Sequence, residues 1–257
     1  MKTQNRLDQC TALVTGASRG VGRGIAIGLG EYGSKVYITG RNLEALNETA
    51  EAVRSAGGTC IPVQCDHRYD NQTKAVLERI KSDGCMISIL ANCAWGGYED
   101  MVENGKFTWT DKFWDQAVKR WDKIFEVGVR SIFVTSKFAL ELMRSDESGL
   151  IVNISFWAAK KYVGNVIYGA SKAAADKLTS DMALELRDTK ISVISLYPGL
   201  VRTEEVMKAA AYLDLTNSES PQFIGRVIAN MFLDAKILEK SGKVCVAAQL
   251  AMDYHIT

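Results

Sequence analysis

Apolar and polar positions follow two rhythms along this chain. Short runs rich in β-branched residues read as buried strands: TALVT (11–15), KVYIT (35–39), TCIPVQC (59–65), MISILAN (86–92), LIVNI (150–154), ISVISLY (191–197) and KVCVAA (243–248). Between them lie stretches with apolar residues three and four apart, the spacing of a helix face. These are RGIAIGLGEY, LEALNETAEAVRSAGG, residues 70–83, residues 113–143, the segment around Tyr168 and Lys172, and residues 221–236. Strands that alternate with helices throughout predict an α/β fold, a doubly wound parallel sheet of about seven strands with helices on both faces. No linker, repeat or low-complexity segment divides residues 1–257, so the pattern predicts a single domain. Two segments break the rhythm, 96–114 and 203–221, and both are expected to cover a substrate. In the first, Trp109, Phe113 and Trp114 either line an apolar pocket or pack the loop onto its own domain.

Chemistry enters at the strand ends. The first run leads at once into Gly16-Ala-Ser-Arg-Gly20-Val-Gly22 and then a helix. Strand, glycine turn and helix in that order make a phosphate cradle of the Rossmann type. Its glycines let main chain approach a pyrophosphate, and the helix N-terminus offers free N–H groups. An acid near the end of the second strand would select the ribose of NAD. This chain has Thr39-Gly40-Arg41 there. Arg41, helped by Arg19, suits a 2′-phosphate, so NADP(H) is expected over NAD(H). Asp66, past the third strand, either accepts from an adenine amino group or caps the next helix. His67 beside it reads as a solvated loop residue. Asn92-Cys93-Ala94-Trp95 ends the fourth strand, where ligands sit in parallel sheets, and Cys93 reads as a small buried residue.

The sharpest candidate is Tyr168-Gly-Ala-Ser-Lys172, with Ser155 upstream at the end of LIVNI. Residues four apart share a helix face. A nearby ammonium lowers a phenol's pKa toward working pH, which makes the pair a general acid/base. A serine hydroxyl beside the phenol holds a substrate oxygen. The helix is rich in alanine (Ala170, Ala173, Ala174, Ala175), which suits either a contact with a second copy or close packing on the sheet.

Composition narrows the field. A net charge of +1 excludes a strongly basic nucleic-acid surface. No apolar run reaches the roughly 18 residues of a transmembrane segment, and MKTQNRLDQC lacks the apolar core of a signal peptide. Six scattered cysteines and two histidines do not suggest a metal site, and they read as reduced thiols of an intracellular protein.

TGASRGVG, the Ser155/Tyr168/Lys172 spacing and the PG-x-V-x-T stretch at Pro198 together resemble the short-chain dehydrogenase/reductases, over about residues 9 to 250. The resemblance implies NADPH-dependent reduction of a small-molecule ketone or aldehyde, steroid-like or xenobiotic. Tyr168 is then the acid, Lys172 lowers its pKa and binds the nicotinamide ribose, and Ser155 holds the substrate oxygen. Gly16, Ser18, Arg19, Gly20, Val21 and Gly22 enclose the phosphates. Asp66 and Asn92 flank the adenosine half, Ala94 and Pro198 line the groove, and Val201 and Thr203 meet the carboxamide. The resemblance further implies a homodimer or homotetramer, cytoplasmic or else peripheral on the cytoplasmic face of the endoplasmic reticulum.

Two positions depart from the family pattern. Trp95 stands where the family has glycine. Gly128 stands where it has a fourth catalytic residue, an asparagine that holds a water chain leading to the lysine. A main-chain carbonyl at Gly128 is one substitute. The competing reading is a protein that keeps the cofactor with weak or no catalysis. A methyltransferase would give no role to Arg41 or to the Ser/Tyr/Lys set.

Overall fold

The computed structural model describes residues 7–144, 147–208, 210–212 and 214–256. In chain order the elements are β1 (Thr11–Val14), α1 (Gly20–Glu31), β2 (Lys35–Gly40), α2 (Leu43–Ser55), β3 (Thr59–Gln64), α3 (Asp70–Ser82) and β4 (Ile89–Asn92). A small antiparallel hairpin follows, β5 (Val102–Glu103) with β6 (Lys106–Phe107). Then come α4 (Lys119–Phe125), a π-helical turn (Glu126–Arg130), α5 (Ser131–Ala139), β7 (Gly149–Ile154), α6 (Val166–Glu185), β8 (Ile191–Tyr197), the short α7 (Glu204–Lys208), α8 (Pro221–Leu233), β9 (Val244–Val246) and α9 (Ala247–Asp253).

Seven strands form one parallel sheet in the order β3-β2-β1-β4-β7-β8-β9, so the fold is a single-domain Rossmann-type sheet, as the sequence pattern predicts. The register explains why the strand sequences are apolar on both faces. Leu13 lies beside Tyr37 and Leu90, Leu90 beside Ile151, and Ile151 beside Val193. This row is buried with Leu77, Ile80 and Leu142 on one face. Val14, Ile38, Ala91, Val152 and Ile194 make the neighbouring row, buried with Ile25, Leu29, Val227 and Ile228 on the other. Each such large side chain contributes roughly 1.5–3 kcal/mol of transfer free energy. The chain crosses from one half of the sheet to the other between β1 and β4, which opens a crevice at their C-terminal ends. Among the described residues, no helix is long and apolar enough to cross a membrane.

Several boundaries differ from the sequence expectation. Residues 113–118 are not helical, and the helix begins at Lys119. The Gln116 amide donates to Trp109 O (3.3 Å) and Asp111 O (2.7 Å), which holds this stretch as a turn. The fourth strand starts at Ile89 rather than Met86. The last strand stops at Val246, and Ala247 and Ala248 open α9 instead, in keeping with alanine's helical preference.

Candidate active site

The crevice between β1 and β4 is built for close main-chain approach. Gly16 and Gly20 have positive φ (66° and 62°), and a Cβ at Gly16 would lie 2.7 Å from the Cα of Ala94. The Thr15 hydroxyl accepts from the N–H groups of Cys93 (2.9 Å) and Ala94 (3.0 Å), tying the two strand ends together. Ser18 faces the end of β2, where it lies 3.3 Å from the Cβ a side chain at Gly40 would have. Val21 is partly buried at the start of α1. The turn and the N-terminal end of α1 can accept a phosphate group without rearrangement of the sheet.

Carboxylates of the chain reach the polar points of this crevice. The Gly20 N–H donates to Glu204 Oε2 (2.8 Å) at the start of α7. Arg41 is ion-paired with Glu99 of the 96–114 segment, and both are substantially exposed. Arg19 is exposed and 3.9 Å from Glu205, so the two arginines meet separate acids. Thr203 lies against the glycine turn, where its methyl would be 3.7 Å from a Cβ at Gly20. Val201 and Pro198 are buried behind it, and Val201 bridges to Glu219. The Glu219 carboxylate accepts from Gly199 N (2.9 Å), fixing the 203–221 segment at its far end.

Asp66 and Asn92 are committed to their own surroundings. Asp66 accepts from the main chain and guanidinium of Arg68 and does not cap α3. Burial favours the protonated acid, but the Arg68 hydrogen bonds outweigh it and hold the carboxyl below its ordinary range. Asn92 is buried and donates to Asn153 Oδ1 (2.8 Å) and Ser136 Oγ (3.1 Å), knitting β4 to β7 and α5. His67 is not solvated: it is buried, with Nε2 2.7 Å from Thr39 Oγ1 and Nδ1 3.1 Å from Thr73 Oγ1. Burial depresses its pKa to about 4. Burial also pushes the Cys93 thiol up to about 12, so it stays protonated.

Ser155, Tyr168 and Lys172 come together at the ends of β7 and α6. Asn165 caps α6 by accepting from the Tyr168 N–H (2.9 Å), which sets Tyr168 in the first turn and Lys172 one turn later. The buried Ser155 hydroxyl donates to Lys172 O (3.2 Å). Lys172 Nζ donates to Ile154 O (3.1 Å) and lies 5.7 Å from the centre of the Tyr168 ring. It also lies 4.1 Å from the centre of the Trp95 ring, over its face. Burial lowers the Lys172 pKa to about 8, against the opposing influence of Cys93 and Asp176.

The expected depression of the Tyr168 pKa is absent in the protein alone. Burial holds the phenol well above its ordinary range, and the charge of the neighbouring Tyr98 phenol would raise it further. Trp95 sits edge-on to Tyr168 (5.5 Å between centroids), Trp109 at 5.6 Å and Phe156 at 6.3 Å, so the phenol stands in an aromatic box.

Much of that box comes from the 96–114 segment, and the sequence left its orientation open. Trp109 is inside, 9% exposed and packed with Ile124 and Ile167. Phe113 and Trp114 face outward, 62% and 68% exposed, and pack on each other. Fully buried Arg120 holds the segment, donating to Asp100 O (2.6 Å), Thr108 O (3.1 Å) and Thr108 Oγ1 (2.7 Å). Asn165 adds a bond to Trp109 O (2.7 Å).

Sequence reasoning missed Tyr98, Arg120, Asn165 and Asp176. Asp176 accepts from Ser195 Oγ (2.6 Å) and from the Tyr197 hydroxyl, behind Ser155 and Lys172. Its place one turn beyond Lys172 was the available signal.

Gly128 lies in the π-helical turn, directly against Trp95. A Cβ at Gly128 would lie 2.6 Å from Trp95 Cζ3 and 2.7 Å from Cε3. The two departures from the family pattern are therefore one exchange of volume, with bulk added at 95 and removed at 128.

A glycine cradle at the β1/β4 crevice, beside a Ser/Tyr/Lys set on β7 and α6, defines a nucleotide-dependent oxidoreductase. The chain belongs to the short-chain dehydrogenase family, whose model matches residues 10–213, and members of this family bind a nicotinamide cofactor. It is 37% identical over 256 residues to dehydrogenase/reductase SDR family member 1 of Mus musculus, and 36% identical over 256 residues to the Homo sapiens protein of that name. Each match covers 94% of this chain and 80% of the relative. Among solved structures, a short-chain type dehydrogenase/reductase from Mycobacterium marinum superposes with a TM-score of 0.80 at 25% identity, covering 95% of both chains.

Proposed function

We propose that the protein is an NADP(H)-dependent carbonyl reductase acting on an apolar, steroid-like or xenobiotic ketone or aldehyde. The observation that carries this reading is the convergence of Ser155, Tyr168 and Lys172 inside an aromatic box at the mouth of the glycine cradle. Bound nicotinamide supplies hydride to the carbonyl carbon. Gly16, Ser18, Arg19, Gly20, Val21 and Gly22 would hold the phosphates of the dinucleotide, with Asp66, Asn92, Ala94, Pro198, Val201 and Thr203 along the groove. Arg41 at the open edge takes the 2′-phosphate in place of Glu99. The fit is supported by the close Gly16–Ala94 approach and by carboxylates already resting on Gly20 N–H and Arg41. Ser155 turns its hydroxyl from Lys172 O to the substrate oxygen. Tyr168 gives that oxygen its proton, and Lys172 binds the ribose and favours the resulting phenolate. The 96–114 and 203–221 segments cover the substrate, Trp109 forming part of its apolar wall.

The six free thiols suit a reducing compartment, and we place the protein in the cytoplasm or on the cytoplasmic face of the endoplasmic reticulum. Exposed Trp121, Phe133 and Val166 on α4, α5 and α6 suit a homodimer or homotetramer.

The second reading is a cofactor-binding protein with weak or no catalysis. It is favoured by Gly128, which brings no side chain, and by the Trp95 face over Lys172. The test is oxidation of NADPH, and separately NADH, with apolar ketones, quinones and dicarbonyls, wild type beside Tyr168→Phe. Turnover with NADPH that collapses in the variant supports the reductase. Cofactor binding with no turnover on any carbonyl supports the second reading.

A further inference from the structure

We propose that Trp95 is a positioning residue for Lys172, its indole face carrying the buried ammonium and keeping it charged beside Tyr168. The proposal deepens the reductase reading above and rests on it.

A buried ammonium needs a counter-charge or polar partners, because desolvation favours the neutral amine. Lys172 is 8% exposed and forms no ion pair among the described residues. Its ammonium donates to Ile154 O (3.1 Å). The titratable groups that face it bring little counter-charge. At the end of β4 the Cys93 thiol is held protonated by burial. On α6, Asp176 gives its carboxylate to Ser195 Oγ (2.6 Å) and to the Tyr197 hydroxyl, both on β8. Tyr168, also on α6, is a neutral phenol with its ring centre 5.7 Å away. What remains is Trp95. Lys172 Nζ stands 4.1 Å from the centre of that ring, the shortest cation–ring distance among the described residues. A desolvated cation this close to an indole is at the strong end of such contacts.

The ring is placed for its face. Its indole N–H is buried and finds no partner among the described residues, so no hydrogen bond within them sets its orientation. Packing sets it instead. A Cβ at Gly128 would lie 2.6 Å from Cζ3, so the missing side chain lets the ring lie against the π-helical turn. The Tyr168 ring stands nearly perpendicular to the indole (88°) at 5.5 Å, and the Tyr98 ring is tilted at 5.7 Å. One indole thus meets both members of the Tyr168/Lys172 pair and fixes the gap between them. Burial pulls the ammonium down to about 8, close enough to working pH for a modest stabilisation to decide its charge. Without the indole face, more of the protein would carry a neutral amine, and Tyr168 would lose the positive neighbour that favours its phenolate.

The test begins in the cofactor-free chain. NMR of 13C-lysine-labelled protein, with Lys172 assigned by Lys172→Met, follows the ε-carbon through pH. Trp95→Leu removes the π face and keeps an apolar side chain in its place, and Trp95→Phe keeps a smaller face. In wild type the Lys172 ε-protons should be shifted upfield by the indole ring current. In Trp95→Leu that shift should vanish, and the titration midpoint should fall by roughly 0.4–1.5 pH units. Trp95→Phe should lie between, and it carries the measurement if the leucine variant does not fold. The second arm uses a carbonyl that the wild type reduces with NADPH. The alkaline limb of kcat/KM should move to lower pH by the same interval as the Lys172 midpoint. A ring that only fills space would lower the rate and move neither. An unchanged or raised midpoint overturns the proposal and leaves the reductase reading standing, and so does a midpoint that falls while the limb stays in place. Absence of turnover in the wild type, with the ring-current shift present, overturns the reductase reading and the positioning role with it.

Discussion

Trp95 and Gly128 can be tested as a matched pair by adding one methyl group. In Gly128→Ala the new carbon would stand 2.6–2.7 Å from the indole. Carbon atoms rest at about 3.5–4.0 Å, so the ring must withdraw by roughly 1 Å. It has nowhere free to go, with Tyr168 and Tyr98 centred 5.5 and 5.7 Å away and Lys172 Nζ over its face. Overpacking of this kind costs about 1–3 kcal/mol. Drawing the ring off a desolvated ammonium removes about 0.5–2 kcal/mol more. Against this, alanine is better than glycine inside a helix by about 1 kcal/mol. The sum is a net loss of roughly 0.5–4 kcal/mol. With a urea slope of about 3 kcal/mol/M for a chain of this size, the midpoint falls by about 0.2–1.3 M. Trp95→Ala removes the obstacle, so in that background Gly128→Ala should turn stabilising by up to about 1 kcal/mol. The change of sign is the decisive result. If Gly128→Ala is neutral or stabilising with Trp95 in place, the volume exchange is not what links these two positions.

His67 should make stability fall in mild acid. Its pKa is about 4 in the folded chain, where burial keeps it neutral, and about 6.5 when unfolded. The unfolded state therefore binds the extra proton first. The contribution is complete above pH ~6.5 and is lost as pH drops toward 4, for a total of about 3 kcal/mol. Urea midpoints of wild type should fall more steeply from pH 7 to 4.5 than those of His67→Gln, and parallel curves would falsify this assignment. Glu99→Gln should free Arg41. Because that ion pair is exposed it is worth only about 0.2–1 kcal/mol, so NADPH should bind up to about fivefold tighter with NADH unchanged. A fluorescence titration showing equal change for both cofactors would rule out competition at the 2′-phosphate.

The sheet was legible because its strands are buried on both faces and must be apolar without interruption, as Leu13 beside Tyr37 and Leu90 illustrates. The positions of Ser155, Tyr168 and Lys172 were legible for a similar reason, since helix periodicity and a strand end fix them locally. What failed was decided by partners far along the chain. The apolar spacing of 113–118 looks helical, but the Gln116 amide is spent on the loop before it. His67 looked like loop because nothing beside it announces Thr39 of a neighbouring strand. Tyr98 and Glu99 follow no periodicity. Their meaning comes from Trp109 and Arg41, which only the fold brings to them.

The hold on the 96–114 segment passes largely through carbonyl oxygens, those of Asp100, Thr108 and Trp109, grasped by Arg120 and Asn165. Every residue has a carbonyl, so these grips do not depend on which side chains the segment displays. The outward face that Phe113 and Trp114 present can therefore be rewritten by substitution while the grips on the main chain, and with them the shape of the frame, stay as they are.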